Sequence, residues 1–231
     1  MPGSATRHTR RRHRWAVLAS LPLLNLIARW YRLVVKGEEH LPTDGAALLL
    51  VKHRATCDSL LLSHLLHRTT GRMANYLMKY RAAGLPPQVL EIFGGIPVIR
   101  PKDILRLKTR AQRRAHLQQA RLLHQQAMDY VEWLYVHGEL VVTYPEGTFY
   151  PDRLGPLYTN TIHQVYNLTR DRGLTIPIVP IGTVYQHQRG LRPQAFFRIG
   201  PPLDTAAFSN PASLVNALRD HLHTLSALDE H

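Results

Sequence analysis

The stretch Ala46-Ala47-Leu48-Leu49-Leu50-Val51, followed at once by Lys52-His53-Arg54-Ala55-Thr56-Cys57-Asp58, decides the architecture. A short apolar run bounded by polar residues reads as a buried strand. Open α/β sheets place their ligands where the chain leaves the carboxyl end of such a strand. His53 and Asp58 are five positions apart, about 140° around a helix, so the two cannot share a helical face. Thr56 is a good N-cap for a helix starting near Cys57 or Asp58, which predicts His53 on the loop and Asp58 in the first turn. The carboxylate can then accept from one imidazole nitrogen, fix the tautomer and leave the other nitrogen as a base. Two surface residues flanking a turn would read the same way, so the rest of the chain must decide.

A second segment repeats the layout. Leu140-Val141-Val142-Thr143 runs into Tyr144-Pro145-Glu146-Gly147-Thr148, an apolar β-branched strand followed by a turn carrying a carboxylate, a glycine and a hydroxyl. Two strand ends bearing polar chemistry suggest one shared cleft. Outward from these segments the pattern alternates. Strands are expected at 46–51, 73–78, 96–100, 139–144, 176–184 and 195–199, and helices at 58–67, 87–93, 103–137, 161–172 and 212–228. Such alternation implies an α/β fold with a largely parallel central sheet flanked by helices. In the long helix, Leu117, Leu122, Met128, Val131 and Leu134 are the expected core positions. The chain has 231 residues, 45% of them hydrophobic, and that suffices for a single domain with one good core.

The formal charge of +13 is unevenly placed. Arg7, Arg10, Arg11, Arg12 and Arg14 crowd the start, and Arg100, Lys102, Arg106, Lys108, Arg110, Arg113, Arg114 and Arg121 form a second group. Either run could be a solvated face or meet nucleic acid. The first, however, leads directly into apolar residues from Trp15 to Ala28, and anionic lipid attracts such a cluster by roughly 1 kcal/mol per basic residue. Pro22 and Asn25 interrupt the apolar stretch and Arg29 and Arg32 follow it, which argues against a transmembrane helix. Trp15, Trp30 and Tyr31 suit headgroup depth. Residues 1–35 are therefore expected to form a basic tail and interfacial anchor, and residues 36–231 the catalytic domain. A signal peptide is the competing reading, although no A-x-A-like site precedes Arg29.

Cys57, the single cysteine, excludes an intramolecular disulfide. Four residues after His53, it could serve as a thiol nucleophile or simply pack. Despite 14 histidines, neither CxxC nor HExxH spacing occurs, so no metal is expected.

With these residues in hand, the chain resembles the glycerolipid acyltransferase family, which includes bacterial 1-acyl-glycerol-3-phosphate acyltransferase. His53 to Asp58 looks like its HxxxxD motif, and Gly94-Gly95-Ile96-Pro97-Val98-Ile99-Arg100 like its second block. Pro145-Glu146-Gly147-Thr148 resembles the third, and Ile176-Pro177-Ile178-Val179-Pro180-Ile181-Gly182 the fourth. The similarity runs from about Lys36 to Pro202. Phe149 stands where phosphate-handling members usually carry arginine, and Leu157-Tyr158-Thr159-Asn160 where a later basic patch is expected. Lys52 replaces the asparagine that often precedes the histidine, and Ala55 a common serine.

The resemblance implies transfer of a fatty acyl group from a thioester, acyl-CoA or acyl carrier protein, to a hydroxyl of a lysophospholipid-like acceptor. The implied acceptor is 1-acyl-glycerol-3-phosphate, in phospholipid synthesis or remodelling. His53 and Asp58 are then catalytic, and Gly95, Arg100, Glu146, Gly147, Thr148 and Arg153 bind substrate. No permanently bound cofactor is implied. The partners are the lipid substrate, an anionic membrane surface at the cytoplasmic face of the cell membrane, and an acyl carrier protein if that is the donor. A lipid hydrolase is the competing enzyme, weakened by the lack of a G-x-S-x-G elbow. A basic protein that binds membrane or nucleic acid without catalysis is the non-enzymatic alternative.

Overall fold

The computed structural model describes residues 14–80, 82–99, 109–150, 153–187 and 191–226. Helix α1 (Arg14–Trp30) leads into strand β1 (Arg32–Lys36), β2 (Ala47–Val51), helix α2 (Asp58–Thr70), β3 (Ala74–Lys79), α3 (Pro87–Ile92) and β4 (Gly95–Val98). The long α4 (Arg110–Val136), β5 (Leu140–Thr143), α5 (Asn160–Arg172), β6 (Ile178–Gln186), β7 (Gln194–Ile199) and α6 (Pro211–Leu225) complete it.

The strands form one seven-stranded sheet in the order β1-β7-β6-β2-β5-β3-β4. The β6–β7 pair is antiparallel and the other pairings are parallel. The expected α/β class with a largely parallel sheet is what the chain adopts. All five residues of β2 are fully enclosed, because helices cover both faces of the sheet centre. Leu48 and Leu50 face the cluster containing Val131, Leu134, Ile162, Val165, Leu214 and Leu218. Leu49 and Val51 face the opposite one, with Leu61, Leu62, Leu65 and Leu66 of α2. A strand buried on both sides reads as a continuous apolar run, the pattern seen at 46–51.

Strand β1 is absent from the expected set. Leu33, Val34 and Val35 pair in register with Ala195, Phe196 and Phe197 of β7, so a boundary after residue 35 falls inside a strand of the sheet. Two flanking charges, Arg32 and Lys36, hide a three-residue apolar run whose partner lies some 160 residues further on. Helix α4 begins at Arg110 with a capping box between Thr109 and Gln112; residues 103–108 of the expected helix lie outside the described residues. Leu117 and Leu122, expected in the core, are 42% and 60% exposed. The buried stripe of α4 runs instead through Ala120, Ala127, Val131 and Leu134, and Leu122, two residues past Ala120, projects from the far side.

Candidate active site

Three neighbouring strands at the sheet centre, β5, β2 and β6, deliver the polar groups from their carboxyl ends. His53 lies two residues past β2 and Asp58 opens α2. Thr56 does not cap this helix. The residue before Asp58 is Cys57, in helical conformation and without a side-chain cap bond. The break is made by Asp58 itself, whose Oδ2 turns back to accept from the N–H groups of Arg54 at 2.7 Å and Ala55 at 3.0 Å. Asparagine and aspartate favour such local backbone bonds.

The same Oδ2 lies 2.8 Å from His53 Nδ1, and Oδ1 accepts from the Tyr185 hydroxyl. The carboxylate is fully buried and faced by these donors, the hydrogen-bond set of an anion. The network places the His53 proton on Nδ1 and leaves Nε2 without a hydrogen bond among the described residues. The His53 side chain is 20% exposed. Two aromatic rings flank the imidazole, Tyr144 at 4.2 Å and Phe149 at 4.3 Å between centroids. The Tyr144 hydroxyl is tied to Ser59 Oγ at 3.0 Å, so the wall is braced by α2. Burial pushes the Tyr144 phenol well above its ordinary range, with smaller contributions from Tyr76 and the Asp58 charge.

Cys57 Sγ turns away from the histidine, toward the hydroxyls of Tyr31 at 3.5 Å and Tyr185 at 3.7 Å. The contact with Cys57, reinforced by burial, raises the Tyr31 phenol to about 12. Burial raises Tyr185 further, followed by the charge of Asp58 beside it.

Beneath the loop after β5 lies a closed ion pair. Lys52 Nζ, fully buried, reaches both carboxylate oxygens of Glu146 at 2.7 and 2.8 Å and the carbonyls of Tyr150 and Arg153 at 2.8 and 2.9 Å. Glu146 Oε1 also accepts from the Gly155 N–H at 2.6 Å. Burial lowers the Lys52 ammonium from its usual range, opposed by the Glu146 charge. Glu146 thus lies within the loop, 2% exposed, rather than in an open cleft. Gly147 adopts φ 61°, and a Cβ there would approach the Tyr158 ring to 2.8 Å; its N–H closes the turn on the Tyr144 carbonyl at 2.9 Å. Thr148 follows, half-buried.

Arg153 places its carbonyl on Lys52 and its guanidinium 5.9 Å from the Tyr150 ring centre, with the side chain exposed. Gly95 begins β4 and is separated from β5 by β3; a Cβ there would meet the Leu90 carbonyl at 2.8 Å. Arg100 lies outside the described residues. The structure therefore brings together His53, Asp58 and the Glu146–Thr148 turn, and adds Tyr144, Tyr185 and Lys52. Lys52 shows in the sequence only as an unusual neighbour of the histidine. Tyr185 carries no sequence signal beyond the continuation of a strand.

Among the described residues, no three His, Cys, Asp or Glu side chains cluster as a metal ion would need, and no helix is long and apolar enough to cross a membrane.

A buried carboxylate thus holds a histidine beside a glutamate–glycine–threonine turn at a strand end, an arrangement chemically able to take a proton from a hydroxyl. The sequence profile of the acyltransferase family matches residues 32–184, well over half of the chain, and the protein belongs to that family. It is an enzyme of the acyltransferase type. The fold is similar to that in the crystal structure of the 1-acyl-sn-glycerophosphate (LPA) acyltransferase PlsC from Thermotoga maritima. The TM-score is 0.59, with 93% of this chain and 81% of that chain covered at 16% sequence identity. A search of curated protein sequences found no match.

Proposed function

We propose that this acyltransferase moves a fatty acyl group from a thioester, acyl-CoA or acyl carrier protein, to a hydroxyl of a lysophospholipid-like acceptor. The observation that carries the reading is the His53–Asp58 pair, with Nδ1 held by a buried carboxylate at 2.8 Å and the imidazole side chain 20% exposed. His53 Nε2 takes the acceptor hydroxyl proton as the oxygen attacks the thioester carbonyl carbon. The tetrahedral intermediate collapses with cleavage of the C–S bond, and the imidazolium returns its proton to the departing thiolate. An ester and a free thiol result, and no covalent enzyme intermediate is needed. The developing oxyanion needs donors. With the Gly147 N–H engaged in the turn, the backbone N–H groups of Thr148 and Phe149 are the donors we propose. Glu146 acts by shaping this turn, and Gly95 by admitting the close packing under β4. Arg100 and Arg153 are proposed to bind the acceptor phosphate, for which the planar guanidinium fork is suited.

The favoured acceptor is 1-acyl-glycerol-3-phosphate, the substrate after which the similar Thermotoga enzyme is named. We propose attachment at the cytoplasmic face of the cell membrane; α1 supports the attachment to a membrane surface. Ala16, Leu24 and Ala28 are buried, whereas Trp15, Leu18, Leu23, Leu26 and Trp30 are each more than half exposed. An apolar stripe behind an arginine run is the makeup of an interfacial helix. At 17 residues the helix spans about 25 Å, less than a bilayer core.

The test is incubation of the purified chain with labelled acyl-CoA or acyl carrier protein and an acceptor panel. The panel comprises lysophosphatidate, glycerol-3-phosphate, lysophosphatidylethanolamine, lysophosphatidylglycerol and a lyso-amino-acid lipid. A labelled diacyl product with lysophosphatidate supports the reading. Release of free fatty acid alone would assign hydrolysis, and no diacyl product with any acceptor of the panel would overturn the lysophospholipid reading.

A further inference from the structure

We propose that Tyr185 is a positioning residue that sets the basicity of His53 by holding the second oxygen of Asp58. Asp58 Oδ2 is fully committed to His53 Nδ1 and the N–H groups of Arg54 and Ala55. The partner found for Oδ1 is the Tyr185 hydroxyl. A buried carboxylate is stabilised in proportion to the donors that face it. Each donor also withdraws charge that would otherwise stabilise an imidazolium on the far side. The Tyr185 bond therefore makes His53 easier to deprotonate than a carboxylate with a bare Oδ1 would.

The sheet places the phenol there: the extension of β6 past β2 pairs with β7, Tyr185 opposite Ala195. Register pairs Val51, the last residue of β2, with Ile181, so β6 continues four residues past the end of β2 to bring Tyr185 level with Asp58. The hydroxyl is steadied by Cys57 Sγ at 3.7 Å and the ring by Tyr31 at 5.9 Å, edge-on. The other titratable or charged groups near the Asp58–His53 pair are Lys52 and Arg54 on the loop from β2, Cys57 at the start of α2, Tyr144 after β5 and Tyr76 on β3. Lys52 is neutralised by Glu146, and an Arg54 guanidinium nitrogen donates to the Ser226 carbonyl at 3.0 Å. Neither occupies Oδ1.

The role rests on His53 being the base, and the test separates the two claims. Tyr185→Phe in the full chain deletes one oxygen and keeps the ring. The His53 imidazole titration is followed by nitrogen-15 NMR, assigned by its loss in His53→Gln, alongside the pH profile of kcat/KM for acyl transfer to lysophosphatidate. The expected result is an upward move of the His53 midpoint by about half a unit or more, roughly threefold less neutral imidazole on the acid side, with the acid limb of kcat/KM moving alike. An unmoved or lowered midpoint in a folded variant overturns the proposal. A raised midpoint with an unmoved acid limb upholds the Tyr185 role and instead removes His53 from the rate equation. Should Tyr185→Phe fail to fold, difluorotyrosine at 185, a stronger donor of nearly the same shape, must lower the midpoint; a rise or no change refutes it.

Discussion

Lys52 and Glu146, beyond the ends of two neighbouring strands, form a fully enclosed ion pair that ties the residue before His53 to the loop carrying Phe149. Lys52 also gathers the Tyr150 and Arg153 carbonyls. The pair thus fixes the loop that presses an aromatic ring on His53.

Removing one partner leaves a buried charge uncompensated, so Lys52→Met or Glu146→Gln should each destabilise the fold by about 3–5 kcal/mol. The double variant should recover part of that loss, because no lone charge remains. Chemical denaturation of the four proteins in the cycle measures the coupling. Additive losses would mean that the pair is not coupled.

His53→Ala should lower kcat by about 10²–10⁴-fold, the range for a general base, with the circular dichroism spectrum unchanged. Asp58→Asn should be nearly as damaging, since an amide cannot anchor the imidazole in the same tautomer. Cys57→Ala should retain most activity, because the thiol faces two tyrosine hydroxyls and not the imidazole. A loss equal to that of His53→Ala would restore the thiol nucleophile.

Replacing Trp15, Leu18, Leu26 and Trp30 together by serine should abolish sedimentation with anionic vesicles, because these exposed side chains supply the apolar stripe of α1. Deleting residues 1–13 should weaken binding only at low salt, surface charge being screened over about 8–10 Å at physiological ionic strength. Full retention by the serine variant would place the attachment elsewhere.

Phe149→Arg should shift acceptor preference toward lysophosphatidate over lysophosphatidylethanolamine, since a second cation would meet the more highly charged headgroup. It should also lower kcat, because the ring packed 4.3 Å from the His53 imidazole is lost. Phe149→Leu is the control: kcat falls and the ranking holds. An unmoved ranking in Phe149→Arg would remove the loop from the phosphate site.

Tyr31, Tyr144 and Tyr185 all hold their protons above the ordinary phenol range, Tyr31 to about 12. The folded state keeps protons that the unfolded chain releases, so the stability they confer is complete below about pH 10 and lost as pH rises beyond it. A spectrophotometric titration should show fewer than the ten tyrosines ionising near pH 10, the remainder appearing with unfolding. Ionisation of all ten in one early step would contradict the burial.

Much of this was legible in the sequence where chemistry and strand endings coincide. The β2 run, the His53–Asp58 spacing and the turn after β5 are local, and their letters carry their geometry. Thr56 misled because an aspartate bonding back to two N–H groups replaced the expected cap. β1 and Tyr185 were invisible for another reason: each acquires meaning only through a partner more than a hundred residues away, and pairing of that kind leaves no periodic trace. Lys52 stood out by type, but only the folded loop reveals what it holds.

The overhang of β6 beyond β2 has a consequence for how this chain tolerates insertions and deletions. Side chains alternate faces along a strand, so gaining or losing one residue between Ile181 and Tyr185 would turn the phenol to the opposite side of the sheet. At the far end of the connection to β7, the Pro193 carbonyl accepts from the Arg32 N–H at 2.8 Å and an Arg192 guanidinium nitrogen donates to the Tyr31 carbonyl at 3.2 Å, so the entry into β7 is held to the start of β1. The number of residues from Ile181 to Tyr185 is therefore a fixed ruler, and a change of a single codon within it would cost the contact with Asp58.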